Sequence, residues 1–233
     1  MSSRKIAAVT WDQWIRTVEV EPSLYAADFS RLGEQIEILL RTGARVFHFD
    51  IGDGHFVEPV TIGPIVLRSI APMIHDEGGA VDCHLMVDEP AHHFDALRGA
   101  GADSVTFHFE AADDPRALAG AARERGFQVG LAFKPETAVA DVVPVADAFD
   151  LVLCMSIEPG YSGQEFMPDA LGRIRELSAS VPEGVRVQVD GGISNDNIRS
   201  VHYAGADLLV AGSAIFGMED LPRAYRRLVQ ELA

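Results

Sequence analysis

Positive charge, cysteine, lysine and long apolar runs are all scarce in this chain. Its 233 residues carry 19 Lys and Arg against 35 Asp and Glu, a formal net charge of −16. So acidic a chain is poorly suited to nucleic acid or to an anionic membrane surface. The deficit leaves a small anionic substrate open, because backbone dipoles bind phosphate without net positive charge. The two cysteines, Cys83 and Cys154, lie in apolar runs and read as buried free thiols, not as a disulfide or a metal pair. No stretch approaches the ~18 consecutive apolar residues of a membrane span. The opening MSSRKIAAVTWDQW holds no apolar stretch of signal-peptide length, so the expected location is the cytoplasm. Lysine occurs only at positions 5 and 134. That leaves Lys134 as the one strand-end candidate for Schiff-base chemistry.

The remaining composition, 48% apolar and 23% charged, is that of a globular chain, and the length suits a single domain. Eight short β-rich apolar runs follow one another: Val18–Ser23, Val46–Ile51, Val81–Met86, Ser104–Phe109, Gln128–Phe133, Leu151–Met155, Val185–Val189 and Asp207–Ala211. Several are apolar almost throughout, as strands buried on both faces are. Helical spacing occupies Ser30–Thr42, Ala91–Gly99, Pro115–Arg125, Ala170–Ala179, Asn195–Ala204 and Leu221–Leu232.

A weak repeat supports this count. Thr42-Gly43-Ala44, Ala100-Gly101-Ala102 and Ala204-Gly205-Ala206 each end a helix and open a strand. Gly43 and Gly101 are 58 residues apart, and Gly101 and Gly205 are 104 apart; two and four strand–helix units of 26–29 residues would fill these gaps. Eight βα units in one domain predict a parallel (β/α)8 TIM barrel over 18–233. An open doubly wound sheet is the alternative, but it normally has a Gly-rich turn after the first strand, where this chain has Ser23-Leu24-Tyr25-Ala26-Ala27. Residues 1–17 form an N-terminal extension. The spacing of Trp11 and Trp14 suggests a helical turn packed on the barrel bottom.

In such a barrel the active site lies at the C-terminal ends of the strands. His48 and Asp50 share one face of strand two. With His84 on strand three and Asp190 at the end of strand seven, they can converge in the barrel mouth. Two imidazoles and two carboxylates suit one divalent metal ion such as Zn, Mn, Fe or Co. A lone strand histidine is ordinarily a hydrogen-bonded core residue; four such groups at the strand ends of one barrel point to a site. Glycines cluster in three consecutive late loops: Pro159-Gly160-Tyr161-Ser162-Gly163-Gln164, Gly191-Gly192 and Gly212-Ser213. Glycine lets backbone N–H groups approach closely, and the last loops of a barrel commonly grip phosphate.

These motifs carry a resemblance. Pro22-Ser23-Leu24, His48-Phe49-Asp50, Asp53-Gly54-His55-Phe56-Val57, His84-Leu85-Met86, Met155 through Gly160, Val189-Asp190-Gly191-Gly192 and Ala211 through Phe216 resemble the ribulose-phosphate 3-epimerase family over about 21–217. The resemblance implies a metal-dependent exchange of D-ribulose 5-phosphate and D-xylulose 5-phosphate. His48, Asp50, His84 and Asp190 match the metal ligands, with Asp50 and Asp190 the acid/base pair. Ser23 and His84 match substrate contacts. Gly160, Tyr161, Ser162, Gly163, Gly191, Gly192, Gly212 and Ser213 match the phosphate grip. Family members are often oligomeric, so a homo-oligomer is expected.

The chain departs from the family pattern at Gly52, where a methionine is usual. It departs again at Glu58, and at Glu136, where glycine is common. The small residue at 52 leaves room for roughly four heavy atoms unless another side chain fills it, which makes a hexulose-phosphate 3-epimerase the near rival. Further alternatives are a Schiff-base aldolase using Lys134 and a non-catalytic sugar-phosphate binding protein. A decarboxylase with Asp-x-Lys-x-x-Asp on strand two is excluded by the absence of lysine there.

Overall fold

The structure, a computed structural model, describes residues 11–14 and 17–232. Eight strands alternate with helices: β1 Glu19–Pro22, β2 Val46–Gly52, β3 Ala80–Met86, β4 Ser104–His108, β5 Gln128–Phe133, β6 Leu151–Met155, β7 Arg186–Asp190 and β8 Leu208–Ala211. All paired strands run parallel, in the order β1-β8-β7-β6-β5-β4-β3-β2. A parallel bridge between Ser23 and His48 joins the two ends of this sheet. The result is a nearly closed single-domain (β/α)8 barrel, and the bridge that brings β1 to β2 falls at a residue of the expected site.

The helices are α1 Trp11–Trp14, α2 Leu32–Thr42, α3 Pro64–Asp76, α4 Phe94–Ala100, α5 Pro115–Glu124, α6 Val139–Val142, α7 Ala170–Ser180, α8 Ile198–Tyr203, α9 Ser213–Phe216 and α10 Leu221–Glu231. α2 starts two residues later than its apolar stripe suggests, because Phe29–Arg31 forms a 3-10 turn capped by the Asp28 side chain. α8 starts three residues later than its pattern. α3 is a helix that the sequence reading leaves out. It carries an interior proline, Pro72, on its exposed face. Its buried stripe Leu67, Ile70, Ala71 and Ile74 has helical spacing and faces the barrel. The three repeated glycines do end helices. Gly43, Gly101 and Gly205 have φ of +109°, +99° and +114°, the left-handed cap that glycine adopts without steric cost.

The main core lies between barrel and helices, around Phe47, Phe49, Leu85, Phe107 and Phe133. A second cluster fills the barrel itself. Trp11 and Trp14 pack edge to face, 5.0 Å between centroids, among Val46, Ala80, Leu151 and Leu208. Those four residues stand at or next to the N-terminal ends of their strands, so α1 plugs the barrel bottom.

Candidate active site

Strand periodicity of two and the parallel register build the site in two layers. The register sets His48 beside Asp82 and Asp50 beside His84. The upper layer holds Ser23, Asp50, His84 and Asp190. The lower layer, two residues earlier on the same strands, holds Glu21, His48, Asp82 and Gln188. All eight side chains point into the barrel because each pair sits on one face of its strand.

In the upper layer, His84 Nδ1 lies 3.1 Å from Asp50 Oδ1 and 3.7 Å from Asp190 Oδ2. His48 Nε2 reaches up to 3.3 Å from Asp50 Oδ1 and 4.0 Å from Asp190 Oδ2. The Ser23 hydroxyl donates to Asp50 Oδ2 at 2.8 Å. One donor atom from each of His48, Asp50, His84 and Asp190 falls within 4.8 Å of the others. His48 Nε2 is buried with no hydrogen-bond partner among the described residues. A buried nitrogen left in that state is costly, and it is aimed at the two carboxylates. Mixed imidazole and carboxylate donors suit a borderline divalent cation, so these residues fit a metal ion.

Glu21, His48 and Asp82 also gather, and most of that group's polar atoms are engaged in hydrogen bonds, although Glu21 Oε1 has no partner among the described residues. Asp82 Oδ1 accepts from the Ser104 hydroxyl at 2.7 Å and the Thr106 hydroxyl at 3.2 Å. The Gln188 amide donates to Asp82 Oδ2 at 2.9 Å and to Glu21 Oε2 at 2.6 Å. Burial pushes the Glu21 carboxyl well above its ordinary pKa, and Asp82 beside it adds to the shift. The lower layer supports the upper one.

The two aspartates of the upper layer have their pKa values displaced in opposite directions. Burial raises Asp190 to about 6, with repulsion from Asp50 in the same direction. Burial would raise Asp50 as well, but His48 and His84 outweigh it and hold Asp50 well below the carboxylate range. Two carboxyl groups whose environments separate their pKa values are suited to opposite roles in proton transfer.

Above this floor lies a half-open cavity at the C-terminal mouth of the barrel. Asp50 and Asp190 stand at its base, and Ser23, Gly160, Tyr161, Ser162, Gly163, Gly191, Gly192, Gly212 and Ser213 all line it. His48 and His84 are fully buried beneath. Met86 and Met155 supply an apolar wall. Gly191 and Gly192 have no room for a side chain. A Cβ would come within 2.3 Å of Ile157 at the first and 2.5 Å of the Phe166 backbone nitrogen at the second, and both have positive φ.

The space at Gly52 is not open. A Cβ there would lie 2.8 Å from the Pro59 carbonyl oxygen and 2.9 Å from Val57 Cγ2. The Thr61 hydroxyl donates to the Asp50 carbonyl at 2.8 Å, and Gly52 N–H donates to Thr61 Oγ1 at 2.7 Å. The β2–α3 loop thus folds back over Gly52 and fills the room expected there. A larger sugar gains no space from this position. Asp53 is a turn residue. Its carboxylate accepts from the N–H groups of His55, Phe56 and Asp88.

The sequence reading assigns no role to Glu21, Asp82, Gln188, His108 or Glu110. The first three could have been found from one signal: each lies two residues before a chosen residue on the same strand face. His108 and Glu110 lack that signal.

Comparison with known proteins agrees with this architecture. The Ribulose-phosphate 3 epimerase family profile matches residues 19–216. The chain is 39% identical over 217 residues to the ribulose-phosphate 3-epimerase of Escherichia coli K12, covering 92% of this chain and 96% of that one. It is 39% identical over 198 residues to the same-named enzyme of Schizosaccharomyces pombe, covering 85% and 86%. Among solved structures, a 3-hexulose-6-phosphate synthase superposes with a TM-score of 0.71 at 20% identity, covering 92% of this chain and all of that one. The orotidine 5'-phosphate decarboxylase of Pyrococcus horikoshii gives 0.69 at 14%, covering 91% and 98%. At those identities the structures speak to the fold alone. The match of sequence across the barrel and all its site loops places this chain, an isomerase, in the ribulose-phosphate 3-epimerase family.

Proposed function

We propose that the protein interconverts D-ribulose 5-phosphate and D-xylulose 5-phosphate, using Asp50 and Asp190 as a proton-transfer pair at C3. The observation that carries this reading is that the two carboxyl groups share one cavity floor, each within 4.0 Å of the same two buried imidazoles.

Epimerisation removes the C3 proton next to the C2 ketone and returns a proton to the opposite face. One carboxylate could do this only by moving between faces, so two fixed groups are better suited. Asp50, ionised, takes the C3 proton. Asp190, the more basic of the two, carries the proton delivered to the other face, and the roles exchange in the reverse direction. His48, Asp50, His84 and Asp190 would hold one divalent ion of the Zn, Mn, Fe or Co kind. That ion would act as a Lewis acid, stabilising negative charge on the oxygens of the enediolate. Ser23 fixes the Asp50 carboxylate through its hydrogen bond and borders the substrate; the substrate contact that the resemblance gives His84 is not supported by its place beneath the cavity. The glycine loops at Gly160–Gly163, Gly191–Gly192 and Gly212–Ser213 bind the phosphate through backbone N–H groups. That binding positions C3 between the carboxylates.

Among the described residues no helix is long and apolar enough to cross a membrane. A cytoplasmic location accords with the two buried free thiols, Cys83 and Cys154. The homo-oligomer rests on the family resemblance.

The test is proton NMR of D-ribulose 5-phosphate with the purified protein in D2O, with and without chelator. Deuterium entry at C3 with formation of D-xylulose 5-phosphate, lost on chelation and restored by added metal, is expected. Absence of exchange with metal present would reject this substrate.

A further inference from the structure

His84 makes a second contact that the proposed reaction does not use. Its Nε2 lies 2.9 Å from Nε2 of His108, at the end of β4, and both rings are fully buried. His108 Nδ1 in turn lies 3.3 Å from Glu110 Oε2. The other oxygen of that carboxylate, Oε1, accepts from the Lys134 backbone N–H at 2.8 Å and from the Thr137 hydroxyl. Phe56, from the β2–α3 loop, covers the His108 ring with 4.7 Å between centroids.

Proton bookkeeping along this row sets which nitrogen must carry a proton at each link. Glu110 is an ionised carboxylate and can only accept, so His108 carries its proton on Nδ1. A neutral imidazole has one N–H, and burial away from water favours the neutral ring. His108 Nε2 is therefore an acceptor. The short contact to His84 then requires the His84 proton on Nε2. His84 Nδ1 then faces the Asp50 oxygen at 3.1 Å and is the ring nitrogen offered to a cation, whether a second ring proton or a metal ion. A lone pair opposite a carboxylate is unsatisfied unless a cation lies between them. Without the row, a neutral His84 would place its proton on Nδ1 and donate it to Asp50, closing the site to a metal.

We propose that Glu110 is a positioning residue. Acting through His108, it holds a proton on His84 Nε2 and so makes Nδ1 the nitrogen that a metal ion takes. The inference rests on the four-residue metal reading above. Glu110 touches neither the proposed ligand set nor the cavity floor, and its effect passes through two imidazole rings.

Glu110→Gln tests this with a defined polarity. Lys134 N–H and Thr137 O–H hold the amide carbonyl at the position of Oε1, which turns the NH2 group towards His108 Nδ1. The row then reverses. His108 donates from Nε2, and the His84 proton moves to Nδ1. Long-range ¹H–¹⁵N correlation spectra of the metal-free protein read the tautomer directly. Wild type should show a proton on His84 Nε2, and E110Q should show Nε2 without one. Zinc titration of the metal-free proteins should give a 10- to 100-fold weaker affinity for E110Q, the range seen when the partners of metal ligands are altered. Glu110→Ala, which removes the acceptor without adding a donor, should fall between the two.

A wild-type His84 with no proton on Nε2 would overturn the inference without reference to any variant. So would one tautomer shared by wild type and E110Q, or equal zinc affinity after a tautomer change. A tautomer switch in a protein that binds no divalent metal would instead refute the metal reading and leave the row intact.

Discussion

The Asp82 carboxylate lies 3.2 Å from His48 Nδ1 and orients that ring from below, so that Nε2 points into the upper layer. Carboxylate–imidazole pairs of this kind fix ring tautomer and raise donor strength at metal sites. Asp82 is itself held by Ser104, Thr106 and Gln188. Asp82→Asn keeps the shape but sets an NH2 group against either the two hydroxyl donors or Gln188 and His48. We expect metal affinity to fall about 10- to 100-fold, as measured by titrating the metal-free protein with Zn or Mn. An unchanged affinity would mean that His48 needs no such support.

Asp50→Asn and Asp190→Asn should each lower turnover of D-ribulose 5-phosphate by at least the ~10²–10⁴-fold typical of a lost acid or base. Both are nearly isosteric changes at the cavity floor, so far-UV circular dichroism should match wild type. Near-normal epimerisation by either variant would reject the two-carboxylate reading. Deuterium exchange at C3 in only one direction of turnover would show which face each aspartate serves.

Restoring a methionine at position 52 should destabilise the protein. Its Cβ would meet the Pro59 carbonyl and Val57, and forcing atoms into a packed position costs about 1–3 kcal/mol. The midpoint of urea denaturation should fall accordingly. A variant as stable as wild type would show that the β2–α3 loop swings aside readily and that position 52 accepts a large side chain.

His75 and Asp103 give a pH dependence remote from the active site. His75 Nε2 lies 2.8 Å from Asp103 Oδ2. That hydrogen bond raises the His75 pKa above its ordinary 6.5, burial opposes the shift, and Asp103 and Asp76 charge assists against Arg98. A pKa raised on folding adds stability that is complete below the unfolded value and lost as pH rises through the folded one. The wild-type advantage over His75→Gln in urea midpoint should therefore be larger at pH 5.5 than at pH 9. An equal difference at both pH values would assign the pair no linkage.

Much of this protein is legible in its sequence because the controlling interactions are local. The apolar runs and helical stripes follow from burial on two faces or one. The left-handed glycines at 43, 101 and 205 follow from sterics at helix ends. His48 and Asp50 share a face because strand side chains alternate. α3 escapes such a reading although its stripe at 67, 70, 71 and 74 is regular. Pro72 reads as a break in sequence, yet it sits on the solvent face of a helix whose opposite face is buried.

Sequence alone determined the eight-unit alternation and the residues at the strand ends, since both depend on neighbours within a few positions. Tertiary structure alone decided which groups meet. The parallel register sets Asp82 beside His48. Barrel curvature brings Gln188 to Glu21 and Asp82 across the interior. The loop after β2 fills the space at Gly52. His108 reaches His84 from the neighbouring strand. Apart from the loop at Gly52, these contacts join residues distant along the chain, and their energies depend on burial and on partners that exist only once the barrel has closed.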